Sequence, residues 1–366
     1  MRSCRRTIGA FSAALATSAV AALALAGSAL AANTNHLFTA TNATTGNQVA
    51  VYTREPNGSL SGPTDYATGG IGTGAGLGSQ NSVLVASGGK QLLVVNAGSN
   101  TVSAFEIEAG GVLRLENAAP SGGTDPTSIT QHGNIVYVLN AGSRNISGLR
   151  LSSKLGVSPL PESTQPLNAK EEGAEQVQFN RGGTLLAVTE KTSSTIDTFG
   201  IGTGGKAGPV KTTEAPGYGP FASVFDNRGD LVVAGVGAGA TPVDGVFTYG
   251  ATSLGGLVQL GEFGNGQKGS CWIVQAYRGR FVYVANAGSG TITGYEINRE
   301  GALSLLQPSG ISATATHPLD LAVDDYGHYL YSLAGGSLVE WSIGPEGGLT
   351  QVTTTAPTGT FGLAAG

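Results

Sequence analysis

The chain has 366 residues, 59 of them glycine, with 12% charged and 40% hydrophobic residues. A formal net charge of −5, with no Lys/Arg cluster beyond the extreme N-terminus, excludes the electrostatic footprint of a nucleic-acid-binding surface. The apolar share excludes a disordered chain, and abundant glycine among β-branched runs points to short strands joined by tight turns.

The first element is a targeting segment. "MRSCRR" is a basic start, "AFSAALATSAVAALALAGSALA" is an apolar run of small residues, and Ala29-Leu30-Ala31 closes it as a cleavage site. Residues 1–31 therefore read as a signal peptide, and 32–366 as the mature domain. The alternative is an N-terminal membrane anchor, but no basic stop-transfer flank follows. The expected destination is outside the cytoplasm: periplasm, medium or cell surface. No membrane span is expected after cleavage. Arg5-Arg6 hints at twin-arginine export. Cleavage removes Cys4 and leaves Cys271 alone, so no intrachain disulfide is expected. Cys271, in "SCWIVQA", reads as a small buried hydrophobe.

Past residue 35 the chain repeats one phrase. "VVNAGSNTVSAFEI" (94–107), "YVLNAGSRNISGLRL" (137–151) and "YVANAGSGTITGYEI" (283–297) are near-copies. A large residue anchors each copy, at Tyr52, Phe105, Leu149, Phe199, Phe247, Tyr295 and Trp341, a period of ~48 residues. A glycine follows each anchor: Gly58, Gly111, Gly156, Gly205, Gly256, Gly301 and Gly347. Within a copy, a run such as "RFVYVAN" suits a strand buried on both faces. "AGSG" accepts the backbone reversal, and "TITGYEI" alternates as a second strand. "REGALSLL" adds a turn and a third strand, and a short apolar run before each phrase supplies a fourth. Four strands repeated seven times predict an all-β fold, a seven-bladed β-propeller of four-stranded antiparallel blades.

Three features fall outside the repeat. The first copy, "HLFTATN", lacks the short leading run, and the C-terminal "FGLAAG" resembles it, so the last strand should close the first blade. The insertion "TGGIGTGAGLGSQ" (68–80) does not match G-x-G-x-x-G and reads as a flexible surface loop. Glu190-Lys191 interrupts the Asn-Ala-Gly-Ser turn of the fourth copy; it reads as a turn pair within reach of the channel mouth. Asn96, Asn140 and Asn286 are expected to bond backbone at strand ends.

The phrase "YVANAGSGTITGYEINREGALSLL" resembles the seven-bladed lactonase family, which includes 6-phosphogluconolactonase-like and carboxymuconate-cyclase-like proteins, and its blades are similar to YVTN-type repeats. The resemblance spans roughly 36–366 and implies a site at one face of the central channel. It also implies a His opening the fourth blade, Gly-Pro-Arg-His opening the fifth, Asn-Glu ending the next strand and an Arg opening the seventh. Here Glu175 stands at the first position. Gly219 and Pro220 match the second motif, with Phe221 and Ala222 after them. Val236-Gly237 and Leu319 stand at the last two positions. A lactonase needs a base or metal-polarised water, and a cation for the developing oxyanion.

Channel-facing candidates precede the inner strands: Gln80, Asn81, Asp125, Glu172, Glu175, Tyr218, Lys268, His317 and Asp320. Glu175 and His317 are the candidate catalytic pair, and Asp125, Tyr218, Lys268 and Asp320 the candidate ligand contacts. The competing reading is a solvated rim Glu175 and a loop His317 before Pro318. No His/Cys/Asp spacing suggests a metal, and no cofactor is expected. No G-x-S-x-G supports a serine hydrolase. Two readings stay open: a divergent hydrolase or cyclase acting on a lactone-type small molecule in the channel, or a non-enzymatic propeller that binds a ligand or a protein partner. A monomer is expected in either case.

Overall fold

The structure, a computed structural model, describes residues 35–168, 173–237, 243–356, 359 and 361–366. The signal peptide read at 1–31 and the candidate Glu172 lie outside the described residues. Seven antiparallel sheets follow one another along the chain, and they are the seven predicted blades. Blade 1 runs Leu60–Ala67, Gln48–Arg54, His36–Ala40 and Phe361–Ala365. The tail thus forms the inner strand of the first blade, as expected. His36 and Gly366 exchange two further backbone bonds at 2.9 and 3.0 Å.

The inner strands of blades 2 to 7 are Val83–Ala86, Pro126–His132, Ala174–Phe179, Tyr218–Phe225, Ser270–Ala276 and Pro318–Val323. Blades 3 and 6 carry an extra two-residue pairing, Gln165–Pro166 and Ala313–Thr314.

The anchor column is the core. Tyr52, Phe105, Leu149, Phe199, Phe247, Tyr295 and Trp341 are all at most 2% exposed. Each such side chain removed from water contributes about 1.5–3 kcal/mol. The glycine column serves the blade–blade seam. Gly347 has φ +78°, and a Cβ there would meet Phe281 of the preceding blade at 3.0 Å. Tyr283 of that blade also donates its hydroxyl to the Gly347 carbonyl at 2.7 Å. In blade 5 the positive φ belongs to Gly255, one residue before the predicted Gly256.

Asn140 bonds backbone as expected, at the Ser121 carbonyl, whereas Asn96 and Asn286 bond side chains instead, which corrects the expectation for those two. Asn286 donates to Thr291 and Thr293 hydroxyls at 3.1 and 2.8 Å, and Asn96 donates to Thr101 and Ser103 at 3.0 and 2.8 Å. Asn140 of blade 3 uses a variant, donating to Asn145 Oδ1 at 2.9 Å and to the Ser121 carbonyl at 3.3 Å. In blade 4 the corresponding positions hold Glu190, Thr195 and Asp197. Burial and a hydrogen bond with Asp197 hold the Glu190 carboxyl well above the ordinary carboxylate range.

Segment 68–80 lies at the surface over much of its length, as expected, with residues 69, 71, 73–76 and 78 exposed, but it is tied to the body of the protein. Asn42 grips it, donating to Thr73 at 2.9 Å and to the Ala75 carbonyl at 2.7 Å, and accepting from the Thr73 amide at 3.1 Å. Glycine is needed here for close approach: a Cβ on Gly72 would sit 2.1 Å from the Asn42 carbonyl carbon. The segment then passes over the channel, where Ser79 donates to the Thr127 carbonyl at 2.7 Å. Glycine here permits close backbone contact rather than freedom.

Candidate active site at the upper channel mouth

Inner strands begin at one mouth of the channel, the upper one, and end at the other. Near their starts, six of the seven slip register against the neighbouring strand. The extra residues are Gly362, Thr127, Glu175, the pair Phe221-Ala222, the pair Cys271-Trp272, and Asp320. A bulge frees a residue from the ladder and re-aims its side chain, which is why bulges collect beside active sites.

Four of these bulge residues gather around the crossing segment. The Trp272 indole donates to the Ser79 carbonyl at 2.9 Å, and its ring lies 4.8 Å from that of Phe221. A methyl on Gly78 would sit 3.7 Å from Glu175 Oε2. Below them, Gln80 donates to the Ile273 carbonyl at 2.7 Å and accepts from the Ile273 amide at 3.0 Å. The segment is therefore a plug, spanning from blade 2 to blade 6.

Burial pushes the Glu175 carboxyl up to about 8, against the pull of the Lys191 ammonium. Lys191 lies 5.5 Å from the Phe221 ring centroid. Burial also pushes the Cys271 thiol up to about 12, although Lys191 pulls it down. Glu175, Lys191, Phe221, Cys271 and Trp272 thus form one cluster: a carboxyl that titrates near neutrality, a cation, and two aromatic faces.

The other candidates lie apart from this cluster. His317 is exposed, with φ +47°, and its Nδ1 lies 3.1 Å from the Ala287 carbonyl, in a shallow recess between blades 6 and 7. The partner brought to Glu175 is Lys191. Tyr218 is packed inside blade 5, stacked on Phe247 with centroids 3.4 Å apart. Asp320 is 4% exposed, and Oδ1 accepts from the Leu321 amide at 2.8 Å. Burial pushes its carboxyl up to about 8, despite the Leu321 and Leu363 amides. Asp125 holds an inter-blade turn: its amide donates to Asn100 at 2.8 Å and its carbonyl accepts from Ala141 at 2.9 Å. Lys268 lines a separate recess with Asp244, where its carbonyl accepts from the Ser289 amide at 3.0 Å. Among the described residues, no group of three His, Cys, Asp or Glu side chains could hold a metal ion.

Two parts of the site had only partial signals in the sequence. Lys191 stands where three other copies have Ala97, Ala141 and Ala287, so its departure from the repeat was visible but its direction was not. Gln80 sat in the plug segment, and nothing periodic marks a single amide that bonds across a channel.

Comparison with known proteins agrees with this architecture. The sequence pattern of the family described as "Lactonase, 7-bladed beta-propeller" matches residues 28–168. No curated protein matches the chain significantly in sequence. A 6-phosphogluconolactonase candidate from Bacteroides fragilis is similar in structure, at 18% identity and TM-score 0.70, covering 90% of this chain and 98% of that one. The periplasmic gluconolactonase PpgL of Pseudomonas aeruginosa is similar at 17% identity and TM-score 0.69, covering 89% and 97%. At these identities the structural likeness establishes the fold and no more. The family's sequence pattern thus matches the first blades, and the fold around the whole ring is that of a seven-bladed β-propeller.

Proposed function

We propose that this protein is an exported hydrolase that opens an uncharged lactone at the upper channel mouth, with Glu175 as general base and Lys191 as the cation facing the developing oxyanion. The observation that carries this reading is the pairing of a buried carboxyl, poised at about 8, with the Lys191 charge at a bulge. In the proposed step, Glu175 takes a proton from water as the water oxygen bonds to the lactone carbonyl carbon. The carbonyl oxygen gains charge beside Lys191. The ring C–O bond then breaks, and the leaving oxygen recovers the proton from Glu175, giving a hydroxy acid. Phe221 and Trp272, both buried and packed on each other, form the apolar wall beside this pair. The family's Arg and His positions hold Phe221, Ala222 and Leu319, which favours a substrate without phosphate or carboxylate. Export rests on the composition of residues 1–31, and the fold likeness to a periplasmic gluconolactonase supports it weakly. Among the described residues, no helix is long and apolar enough to cross a membrane. The protein acts as a monomer in this reading, without a cofactor.

The test is hydrolysis of a panel of neutral and anionic lactones by the purified protein. Glu175→Gln should lower the rate on neutral lactones ~10²-fold and Lys191→Met at least about 10-fold. His317→Ala should leave it unchanged. The plug favours a second reading, a non-enzymatic binding propeller, because the Gln80–Ile273 bonds brace the crossing segment over the channel beneath the mouth. Absence of turnover with every lactone, together with a measured ligand affinity that Glu175→Gln weakens, selects that reading.

A further inference from the structure

Below the plug, the channel widens into a cavity of about 400 Å³ that opens towards the lower mouth. This is within the range of small-molecule sites. The next-to-last residue of every inner strand lines it. Going round the ring, blades 3, 4 and 6 contribute Gln131, Gln178 and Gln275. Blade 5, between the Gln178 and Gln275 blades, contributes Val224, and blades 7, 1 and 2 contribute Ala322, Ala364 and Val85. The ring is thus two-sided, with three amides, interrupted once by Val224, facing an arc of small apolar groups.

The amides are only partly used by the protein. The Gln178 carbonyl oxygen accepts from Asn81 at 3.2 Å and from Gln176 at 3.3 Å, while its amide nitrogen stays available. The Gln275 amide nitrogen is buried and has no partner. Such a donor costs free energy until something accepts from it. No Lys or Arg occurs among the described lining residues, and Asp325 is the single charged side chain there.

We propose that this lower cavity binds an uncharged polyhydroxylated molecule of monosaccharide size, its hydroxyls on the Gln178 and Gln275 amides and its C–H face on Ala322 and Ala364. Amides both donate and accept, as hydroxyls do, so they suit a neutral polyol. An anionic sugar acid or sugar phosphate would enter without a cation to meet it. The apolar arc matches the C–H face of a sugar ring. The site lies on the far side of the plug from Glu175 and does not depend on the lactonase reading.

The test is titration calorimetry of the purified protein with neutral hexoses, pentoses and inositol, alongside gluconate and a hexose phosphate. At least one neutral polyol should bind, and the two anions should bind more weakly. Gln178→Leu and Gln275→Leu should each weaken binding ~10-fold, the loss of one bond to a polar group. Ala364→Leu, which fills the cavity from its apolar side and spares the amides, should abolish binding. Glu175→Gln should leave it unchanged. The proposal is overturned if no neutral polyol binds, if anions bind as well as neutral sugars, if binding survives the variants that fold, or if Glu175→Gln abolishes it. Loss of lactone hydrolysis in Glu175→Gln with polyol affinity intact separates the two sites.

Discussion

Gln80 and Ile273 meet across the channel like two residues of one sheet: the Gln80 side chain presents an amide that satisfies both backbone groups of Ile273, at 2.7 and 3.0 Å. The residues belong to opposite parts of the ring and are 193 positions apart in sequence. The contact makes a glycine-rich insertion into a cross-brace. Gln80→Ala should cost about 2–3 kcal/mol, because two bonds are lost and the Ile273 backbone is left buried without partners. Urea unfolding of the two proteins measures it. A difference below about 0.5 kcal/mol would mean that water replaces the brace at no cost.

The buried acids make stability depend on pH. Burial holds the Glu175 and Asp320 carboxyls up at about 8, and Glu190 is raised by burial and by Asp197. In the unfolded chain these groups return to the ordinary carboxylate range. Between roughly pH 4.5 and 8 the folded protein binds more protons, so its stability falls as pH rises through that window. Thermal melting should therefore occur at a higher temperature at pH 5 than at pH 8. Glu190→Gln should reduce that difference, since an amide needs no proton to remain neutral. A Tm that rises between pH 5 and 8 in the wild type would contradict the assignment.

Blades 1 and 7 are joined away from the channel by Arg54, whose Nε lies 2.6 Å from Glu340 Oε1 and whose guanidinium lies 3.5 Å over the Tyr329 ring. The Glu340 side chain is fully buried. Arg54→Leu should cost about 3–5 kcal/mol, since it strands a buried carboxylate. Arg54→Leu/Glu340→Leu should recover much of that loss. Equal stability of the single and double variants in urea would show that the ion pair is not what joins the blades.

Cys271 is 7% exposed, and burial pushes its thiol up to about 12. Native protein should therefore not react with a thiol reagent at pH 8, while protein in denaturant should react fully. Rapid native labelling would place the thiol at the surface of the mouth.

The ring was legible because architecture repeats. The anchor column from Tyr52 to Trp341, the glycines behind it, and the match of "FGLAAG" to a missing run all write the fold into the chain at fixed intervals. The candidate cluster at the upper mouth was only half legible because it is made of departures from that repeat. Glu175 was marked by its position at the blade start, but the bulge that re-aims it leaves no trace in the spacing of the copies. His317 follows the same numbering logic, but its positive φ turns it onto the outer recess beside Ala287. Tyr218 opens a strand too, yet Phe247 takes its ring into the blade. Pairing across a channel depends on where bulges turn side chains, and a bulge adds one residue without changing composition. The glutamines at 131, 178 and 275 were plain to see as letters, but only the ring brings them to one level.

The most direct test of the account is the pH dependence of neutral-lactone hydrolysis, compared between wild type, Glu175→Gln and Lys191→Met. Glu175 acts as a base only when ionised, so wild-type kcat/KM should rise with pH and level off above about 8. Removing Lys191, whose charge pulls the Glu175 carboxyl down, should move that rise to higher pH. Glu175→Gln should be slow and flat throughout. Hydrolysis by Glu175→Gln at the wild-type rate, or a wild-type profile indifferent to pH between 6 and 9, would contradict a catalytic carboxyl at the upper mouth.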